Sequence, residues 1–248
     1  MRLPKTKHPN NRHQRPRRNS LQQDATLLRY QQLRLEKPAH FENPVGCPTQ
    51  ILFGDREIKE AQQEAHIERQ RLGWPTNDLR VGVLAEDPYI GYVVRDAVRF
   101  ADGRLGLYNR VLAPGGLVVL PIFDDSIALI RIFRHGARRW FLEAPQGALT
   151  GNGDIADAAR QELREEIAAE AHDLIPLGSL YTSTGLTSER LELFAAKISA
   201  YGKPQSAEGI ESVERIRGDD IDSRILGGSI CDGPTVSLIF RARLHGLI

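Results

Sequence analysis

Cysteine and long apolar runs are both scarce in this sequence of 248 residues, and each shortage excludes a class of protein. Cys47 and Cys231 are the only two cysteines, which excludes a small fold held by several disulfides and favours a reducing compartment. No apolar stretch approaches the roughly 20 residues that a helix needs to cross a bilayer, and no signal-peptide core is present. We therefore expect a cytoplasmic protein without membrane contact.

A net charge of one sign is also lacking, because 33 basic and 32 acidic side chains nearly cancel. The exception is the segment 1–20, which is basic and almost free of apolar side chains. Such a segment cannot bury enough surface to offset the entropy lost on ordering, so it is predicted to be a basic disordered tail. Two alternatives stay open for this tail: a contact with nucleic-acid phosphates and a transit peptide.

Residues 21–80 are predicted to form a helical N-terminal extension, with helices at 21–36 and 56–72. The first helix has a candidate apolar stripe of Leu21, Ala25, Leu28 and Leu35. Asp55 is a suitable N-cap for the second helix, and Gly73 lies just beyond its end. Neither helix carries much apolar surface, so both are expected to pack on a larger element or on a second subunit.

The pattern changes from residue 81 onwards, where alternating apolar residues predict N-terminal antiparallel strands within 81–114. Residues 115–248 are expected to form the main domain. Its predicted strands are 115–123, 126–134 and 191–198, and its predicted helices are 154–170, 219–226 and 235–245. Strands with interspersed helices indicate an α/β sandwich around a mixed sheet.

The most informative segment is GALTGNGDIADAARQELREEIAA, residues 147–169. Asp154 is a suitable N-cap, and apolar residues at intervals of four predict one buried stripe: Ile155, Ala159, Leu163 and Ile167. Glu162 and Glu166 also lie four apart, with Glu165 beside them. Two carboxylates one turn apart repel each other, and a bound Mg²⁺ or Mn²⁺ reverses that effect. The same spacing also occurs on helix faces that are merely solvated.

This segment resembles the Nudix box, whose pattern is G-x5-E-x7-R-E-U-x-E-E-x-G-U, where U is aliphatic. The box glycine matches Gly147, and the acidic core falls on residues 161–166. Four further segments resemble the ADP-ribose pyrophosphatase subfamily in the same order: 131–134, 140–147, 181–190 and 227–235. The resemblance covers roughly residues 85–245. It implies a Nudix-like α/β/α sandwich around a mixed β-sheet, preceded by an N-terminal antiparallel sheet and helices.

The resemblance also implies Mg²⁺-dependent (or Mn²⁺-dependent) hydrolysis of a nucleoside diphosphate substrate, either ADP-ribose or a nucleotide sugar. The expected assembly is a homodimer built through the N-terminal sheet. Glu162 and Glu166 would bind the metal with the backbone carbonyl of Gln146, and Glu165 would share a second ion.

Further site residues follow from the same resemblance. Arg134, Glu143 and Gly147 are expected to contact the substrate, and Arg134 could hold a phosphate oxygen through a charge-assisted hydrogen bond. The general base would be a glutamate on a later loop. Glu208 and Glu211 are the first candidates, and Glu189 is the next.

Three box positions depart from the pattern: Gly153 replaces a glutamate, Gln161 an arginine and Ala168 a glycine. In the family that arginine orients the metal-binding carboxylates, and losing such a partner costs about 10–100-fold in metal affinity or activity. Arg160 is no substitute, because a shift of one helical position turns a side chain by about 100°. The alternative is therefore an impaired module that binds a nucleotide ligand in a regulatory or scaffolding role.

Overall fold

The computed structural model describes residues 16–149, 153–204 and 209–248, with residues 16–24 described by their backbone alone. Most of the predicted basic tail lies outside the described residues. The chain divides into two compact units, Met1–Leu112 and Ala113–Ile248. No helix in the described part of the chain is long and apolar enough to cross a membrane.

The first unit combines two helices with a four-stranded antiparallel sheet. Its elements are α1 (Pro16–Glu36), a short 3-10 helix (Pro38–His40), β1 (Gln50–Leu52), α2 (Asp55–Arg71), β2 (Gly82–Asp87), β3 (Gly91–Arg99) and β4 (Leu105–Leu112). Strand β3 pairs with the other three strands. Helix α1 packs on β2, and α2 packs on β3 and β4.

The predicted face of α1 is wrong. Leu28 and Leu35 are 58% and 86% exposed, whereas Tyr30 and Leu33 are buried. The buried face is set by packing against the sheet, which selects the ring of Tyr30 over the leucines on the opposite side. The N-cap assignment of α2 is also wrong, because Gly54 occupies that position and makes no side-chain capping bond.

The second unit is built on a seven-stranded mixed sheet in the order β11-β6-β5-β10-β9, with β7 beside β6 and β8 beside β5. Its strands are β5 (Gly116–Phe123), β6 (Ser126–Arg134), β7 (Arg139–Glu143), β8 (Gln146–Ala148), β9 (Ala171–Tyr181), β10 (Arg190–Ile198) and β11 (Ile210–Arg217). Its helices are α3 (Ile155–Ile167), α4 (Gly218–Leu226) and α5 (Gly233–Leu244). Strands β5 and β10 are parallel, and the other pairs are antiparallel.

Side chains of β5 alternate between two apolar layers, because successive strand residues point to opposite faces. Leu117 and Val119 pack in the layer that contains α3. Val118 and Leu120 pack in the layer that contains α4 and α5. The predicted α/β/α sandwich around a mixed sheet is therefore confirmed.

Four strands of this unit were not predicted: β7, β8, β9 and β11. Strand β9 contains Asp173, Pro176 and Gly178, which disfavour strands. It lies at the edge of the sheet, the position where a proline is tolerated. Glu211, a base candidate expected on a loop, belongs to β11 instead.

Candidate active site

Helix α3 is held on the sheet by three of the four residues of the predicted apolar stripe, whereas the fourth, Ile155, is 38% exposed. Ala159, Leu163 and Ile167 are fully buried. The helix begins as predicted, with the Asp154 side chain accepting a hydrogen bond from the backbone N–H of Ala156 at 2.7 Å. These contacts fix the rotation of α3 about its axis. The helix face beside the buried stripe, which carries Glu162 and Glu166, is then directed towards β8.

Two glutamates on that face lie against consecutive residues of β8. Glu166 is only 2% exposed, and its Oε2 accepts a hydrogen bond from the backbone N–H of Gln146 at 3.1 Å. Glu162 lies against Gly147 so closely that a Cβ atom at position 147 would overlap its carboxylate. Any larger residue at 147 would therefore require the carboxylate of Glu162 to move away from β8.

Glu165 lies on a different side of α3. Its Oε1 accepts a hydrogen bond from the side-chain amide of Gln161 at 2.7 Å, and both residues are exposed. Among the residues that the structure describes, no three His, Cys, Asp or Glu side chains are grouped so that they could hold a metal ion. The structure thus brings Glu162 and Glu166 to β8 but does not bring Glu165 to the same place.

The donors beside β8 match the chemistry of Mg²⁺. This ion needs oxygen ligands, and proteins commonly supply only one or two carboxylates while waters complete the octahedron. Glu162, Glu166 and the adjacent backbone carbonyl of Gln146 form such a set. The opening at Gly147 lets one carboxylate approach the main chain, so the residues present fit a divalent cation.

A buried acid joins this region to the end of β6. The side chain of Glu143 is 3% exposed and forms an ion pair with Arg134, which is 37% exposed. The Nε and Nη2 atoms of Arg134 donate to Glu143 Oε2 at 2.8 and 2.6 Å. The side-chain amide of Gln146 donates to the same oxygen at 2.6 Å. Two of the three expected substrate residues, Arg134 and Glu143, therefore bind each other.

No protein-family profile matches the chain. The ADP compounds hydrolase NudE of Escherichia coli (strain K12) is 28% identical over 116 residues, which are 46% of this chain and 61% of that protein. The GDP-mannose pyrophosphatase of Yersinia enterocolitica is 28% identical over 146 residues, 57% of this chain and 73% of that protein.

The fold is also similar to that of a solved structure. The crystal structure of an ADP compounds hydrolase matches with a TM-score of 0.59 and 20% identity, over 67% of this chain and 93% of that one. By sequence and by fold, this chain is similar to hydrolases of the Nudix type, among them ADP compounds hydrolases. A third relative has a different kind of name: the methanol dehydrogenase activator of Bacillus methanolicus is 28% identical over 136 residues, 53% of this chain and 72% of that protein.

The structure locates two of the three departures from the box pattern, Gly153 and Gln161. Gly153 is exposed, and a side chain built there would meet no atom within 4 Å. The side-chain amide of Gln161 donates a hydrogen bond to Glu165. Arg160 is directed to Asp157, with 3.5 Å between Nη1 and Oδ1. Its direction agrees with our expectation that Arg160 does not replace the missing arginine.

The three candidates for the general base have different surroundings. Glu208 lies outside the described residues. Glu211 is on β11, where it accepts a hydrogen bond from Arg131. Glu189 lies in the loop before β10 and accepts a hydrogen bond from the Thr182 hydroxyl at 2.6 Å.

Sequence reasoning missed a buried polar contact that fixes the loop between β7 and β8. Thr235 is fully buried, accepts a hydrogen bond from the Ala144 N–H at 3.0 Å, and donates one to Asp232 at 2.7 Å. Asp232 in turn caps α5 by accepting from the Thr235 N–H. The spacing of Asp232 and Thr235, an N-cap residue and a polar residue three positions later, was the signal available in the sequence.

Proposed function

We propose that this protein hydrolyses the diphosphate bond of an ADP-linked compound, with ADP-ribose as the first substrate to test. The observation that carries the proposal is the placement of Glu162 and Glu166 against Gln146 and Gly147 of β8. The names of two relatives, an ADP compounds hydrolase and a GDP-mannose pyrophosphatase, support the same substrate class. All these substrates share a diphosphate linked to a nucleoside.

Glu162, Glu166 and the carbonyl of Gln146 would hold Mg²⁺ or Mn²⁺ in this reaction. A bound divalent ion neutralises the diphosphate and lowers the pKa of the attacking water. Glu165 would share a second ion, which requires its carboxylate to leave the amide of Gln161. The two roles differ because Glu166 is buried and Glu165 is exposed.

The other site residues bind the substrate and move a proton. Arg134 would donate to a phosphate oxygen, which places positive charge where negative charge develops during displacement. One of Glu208, Glu211 and Glu189 would accept a proton from the attacking water. Glu211 would have to exchange its bond with Arg131 for one with that water.

The decisive experiment is a hydrolysis screen with the purified protein. ADP-ribose, GDP-mannose and other nucleotide sugars, dinucleoside polyphosphates and NADH are each incubated with Mg²⁺ or with a chelator. We expect ADP-ribose and water to give AMP and ribose 5-phosphate in the presence of Mg²⁺ only. The proposal fails if no diphosphate is cleaved under any condition.

A second candidate function is binding of a nucleotide without turnover, in a regulatory or scaffolding role. Gly153 and Gln161 favour it because they remove two charged groups from the box. The relative named as an activator also favours it. Calorimetric titration separates the two candidates, since a module of this kind would bind ADP-ribose and release no AMP.

We also propose a homodimer, formed through the antiparallel sheet of the first unit. Light scattering at micromolar concentration tests this proposal directly. A monomeric mass at that concentration would contradict it.

A further inference from the structure

We infer that Glu143 is a positioning residue that links the substrate-binding arginine to the metal-binding end of β8. This inference rests on the proposed function, since it assigns roles to Arg134 and Glu166 in that reaction. It differs from the expectation that Glu143 itself contacts the substrate.

The geometry is a continuous chain of hydrogen bonds. Arg134 donates twice to Glu143 Oε2, and the side-chain amide of Gln146 donates to the same oxygen. The backbone N–H of Gln146 then donates to Glu166 Oε2 at 3.1 Å. Four residues on β6, β7, β8 and α3 are thereby connected without a gap.

The register of β6 and β7 explains why Arg134 and Glu143 are in contact. Ile130 is paired with Glu143 in the β6–β7 ladder, and Arg134 lies four residues after Ile130 on β6. Because strand residues alternate between faces, Arg134 and Glu143 project on the same face. A carboxylate on β7 can therefore reach a guanidinium at the end of β6.

Burial determines what Glu143 can do. Its side chain is 3% exposed, and one of its oxygens already accepts from three N–H groups. A buried carboxylate with these partners is held in one orientation, since losing them would leave it without water or a cation. Its contribution to the reaction is to fix the guanidinium of Arg134 and the position of Gln146.

Arg134 keeps donors for a ligand in this arrangement. A guanidinium has five N–H groups, and the contacts with Glu143 use Nε and Nη2. The Nη1 hydrogens can then be directed to a phosphate oxygen. Removal of the Glu143 charge would free the arginine to rotate, and a side chain that must be oriented anew on binding holds a ligand less well.

The test replaces Glu143 by glutamine, which keeps the shape and removes the charge. Three quantities are measured: kcat and KM for ADP-ribose, the Kd for Mn²⁺ in the absence of substrate, and the midpoint of thermal unfolding. We expect kcat/KM to fall about 10–100-fold, as for other partners that orient site residues. The Kd for Mn²⁺ should rise about tenfold, the lower end of the same range. Glu143→Asp keeps the charge and should recover part of both losses.

Glu214→Gln is the control, because Glu214 is a half-buried acid of the same unit, 3.8 Å from Arg224. It should leave kcat/KM and the Kd for Mn²⁺ within about twofold of wild type, the scatter expected for a residue that orients no ligand. A double variant, Glu143→Gln with Arg134→Lys, adds a second criterion. If Glu143 acts through Arg134, the combined loss in kcat/KM will be smaller than the product of the single losses.

The outcomes separate this inference from the proposed function. If the wild type cleaves no substrate, the proposed function fails, and weaker Mn²⁺ binding by Glu143→Gln but not by Glu214→Gln still supports the link to the metal-binding end. Wild-type values of both kcat/KM and Kd in Glu143→Gln would overturn the inference. Fully multiplicative losses in the double variant would also overturn it. If Glu143→Gln does not fold, Glu143→Asp, alone and combined with Arg134→Lys, decides by the same criteria.

Discussion

Asp96 in the first unit and Glu166 in the second are both buried carboxylates, 1% and 2% exposed, but their neighbours differ. Asp96 accepts hydrogen bonds from the Tyr30 hydroxyl and from Arg110, whose Nε lies 2.6 Å from its Oδ2. Glu166 accepts from a neutral backbone N–H and has a second glutamate, Glu162, one helical turn away. The first arrangement pairs an acid with Arg110, and the second brings two acids to the same strand.

The comparison separates two uses of a buried acid. In the first unit the network joins α1 to β3 and β4, and Arg110 extends it by donating to the His40 carbonyl at 2.8 Å. Burial and the negative charge of Asp96 raise the pKa of Tyr30, so this hydroxyl keeps its proton and remains a donor. Such a network stabilises a fold, because it satisfies the charge that folding buries. The acids on α3 have the proposed role of binding a metal ion.

The largest expected effect comes from breaking the network in the first unit. Asp96→Asn leaves Arg110, which is 20% exposed, without its charged partner. Removing one partner of a buried ion pair typically costs about 3–5 kcal/mol, so we expect a loss of about 3 kcal/mol in the free energy of unfolding. Urea denaturation measures it. Asp102→Asn is the control, since the Asp102–Arg104 pair is exposed, and equal losses in both variants would contradict the prediction.

The next largest effect is expected on the hydrolysis rate of a variant in the second unit, with little change in its free energy of unfolding. Glu166→Gln removes a proposed metal ligand, and we expect the Mg²⁺-dependent rate to fall about 100-fold or more, since even residues that only orient ligands cost about 10–100-fold. Without metal, this variant should lose no more than about 1 kcal/mol of stability, because glutamine keeps the shape and can still accept from the Gln146 N–H. Steady-state kinetics and urea denaturation give the two values. Glu170→Gln, at an exposed position after α3, is the control, and a wild-type rate in Glu166→Gln would rule out the assigned site.

Local periodicity was sufficient to predict α3 and its paired glutamates. The buried stripe of Ala159, Leu163 and Ile167 depends only on the helical repeat, and the Asp154 cap depends only on its neighbours. The exposed face of α1 could not be predicted in this way. Tyr30 is buried where Asp96, 66 residues later, accepts a hydrogen bond from its hydroxyl. A pattern within the helix sequence alone cannot indicate a partner so distant along the chain.

In the candidate site, too, the residues could be predicted from the sequence, but their contacts depend on parts of the chain that are distant in sequence. Family resemblance identified Arg134, Glu143 and Gln146 one at a time. The convergence of Arg134 and Gln146 on a single oxygen of Glu143 depends on the pairing of β6 with β7, and β7 was not predicted as a strand. The separation of Glu165 from Glu166 follows from rotation about the helix axis, but the bond with Gln161 depends on the side-chain conformation.

The third prediction concerns the missing arginine of the box. Gln161→Arg would place a guanidinium one position before Glu162 and beside Glu165, its present partner. If the protein is an enzyme that lacks an orienting group, kcat should rise about tenfold, which corresponds to about 1.4 kcal/mol at the transition state. Kinetics at saturating Mg²⁺ with ADP-ribose measure the change. Gln161→Lys is the control, because it adds charge at the same position without a planar fork.

Two outcomes would contradict this interpretation of Gln161. An unchanged rate in an already active enzyme would show that the absence of arginine does not limit catalysis. A fall from a substantial wild-type rate would show that Gln161 belongs to a reorganised active site. If neither protein turns over any diphosphate, the binding module described above becomes the better account.

The smallest expected effect is a change in stability at the C-terminal end of a helix. The ends of α2 in the first unit and α3 in the second differ in the residue that adopts the left-handed conformation. Just beyond α2 the left-handed position is filled by Gly73, with φ of 69°, whereas α3 ends at Ala168 with φ of 51°. A left-handed conformation costs an L-residue about 1–2 kcal/mol, and glycine loses about 0.4–1 kcal/mol more than alanine through its freer unfolded state. Ala168→Gly should therefore stabilise the second unit by about 0.5–1 kcal/mol. Ala168 is exposed, so little packing is lost.

Urea denaturation measures this gain in the free energy of unfolding. Ala169→Gly is the control, because Ala169 is 1% exposed with an ordinary φ and should lose stability when its methyl group is removed. A loss of stability in both variants would show that the left-handed alanine carries no strain. A gain without any change in kcat would show that this departure from the box affects folding alone, whereas the departure at Gln161 is expected to act on the rate.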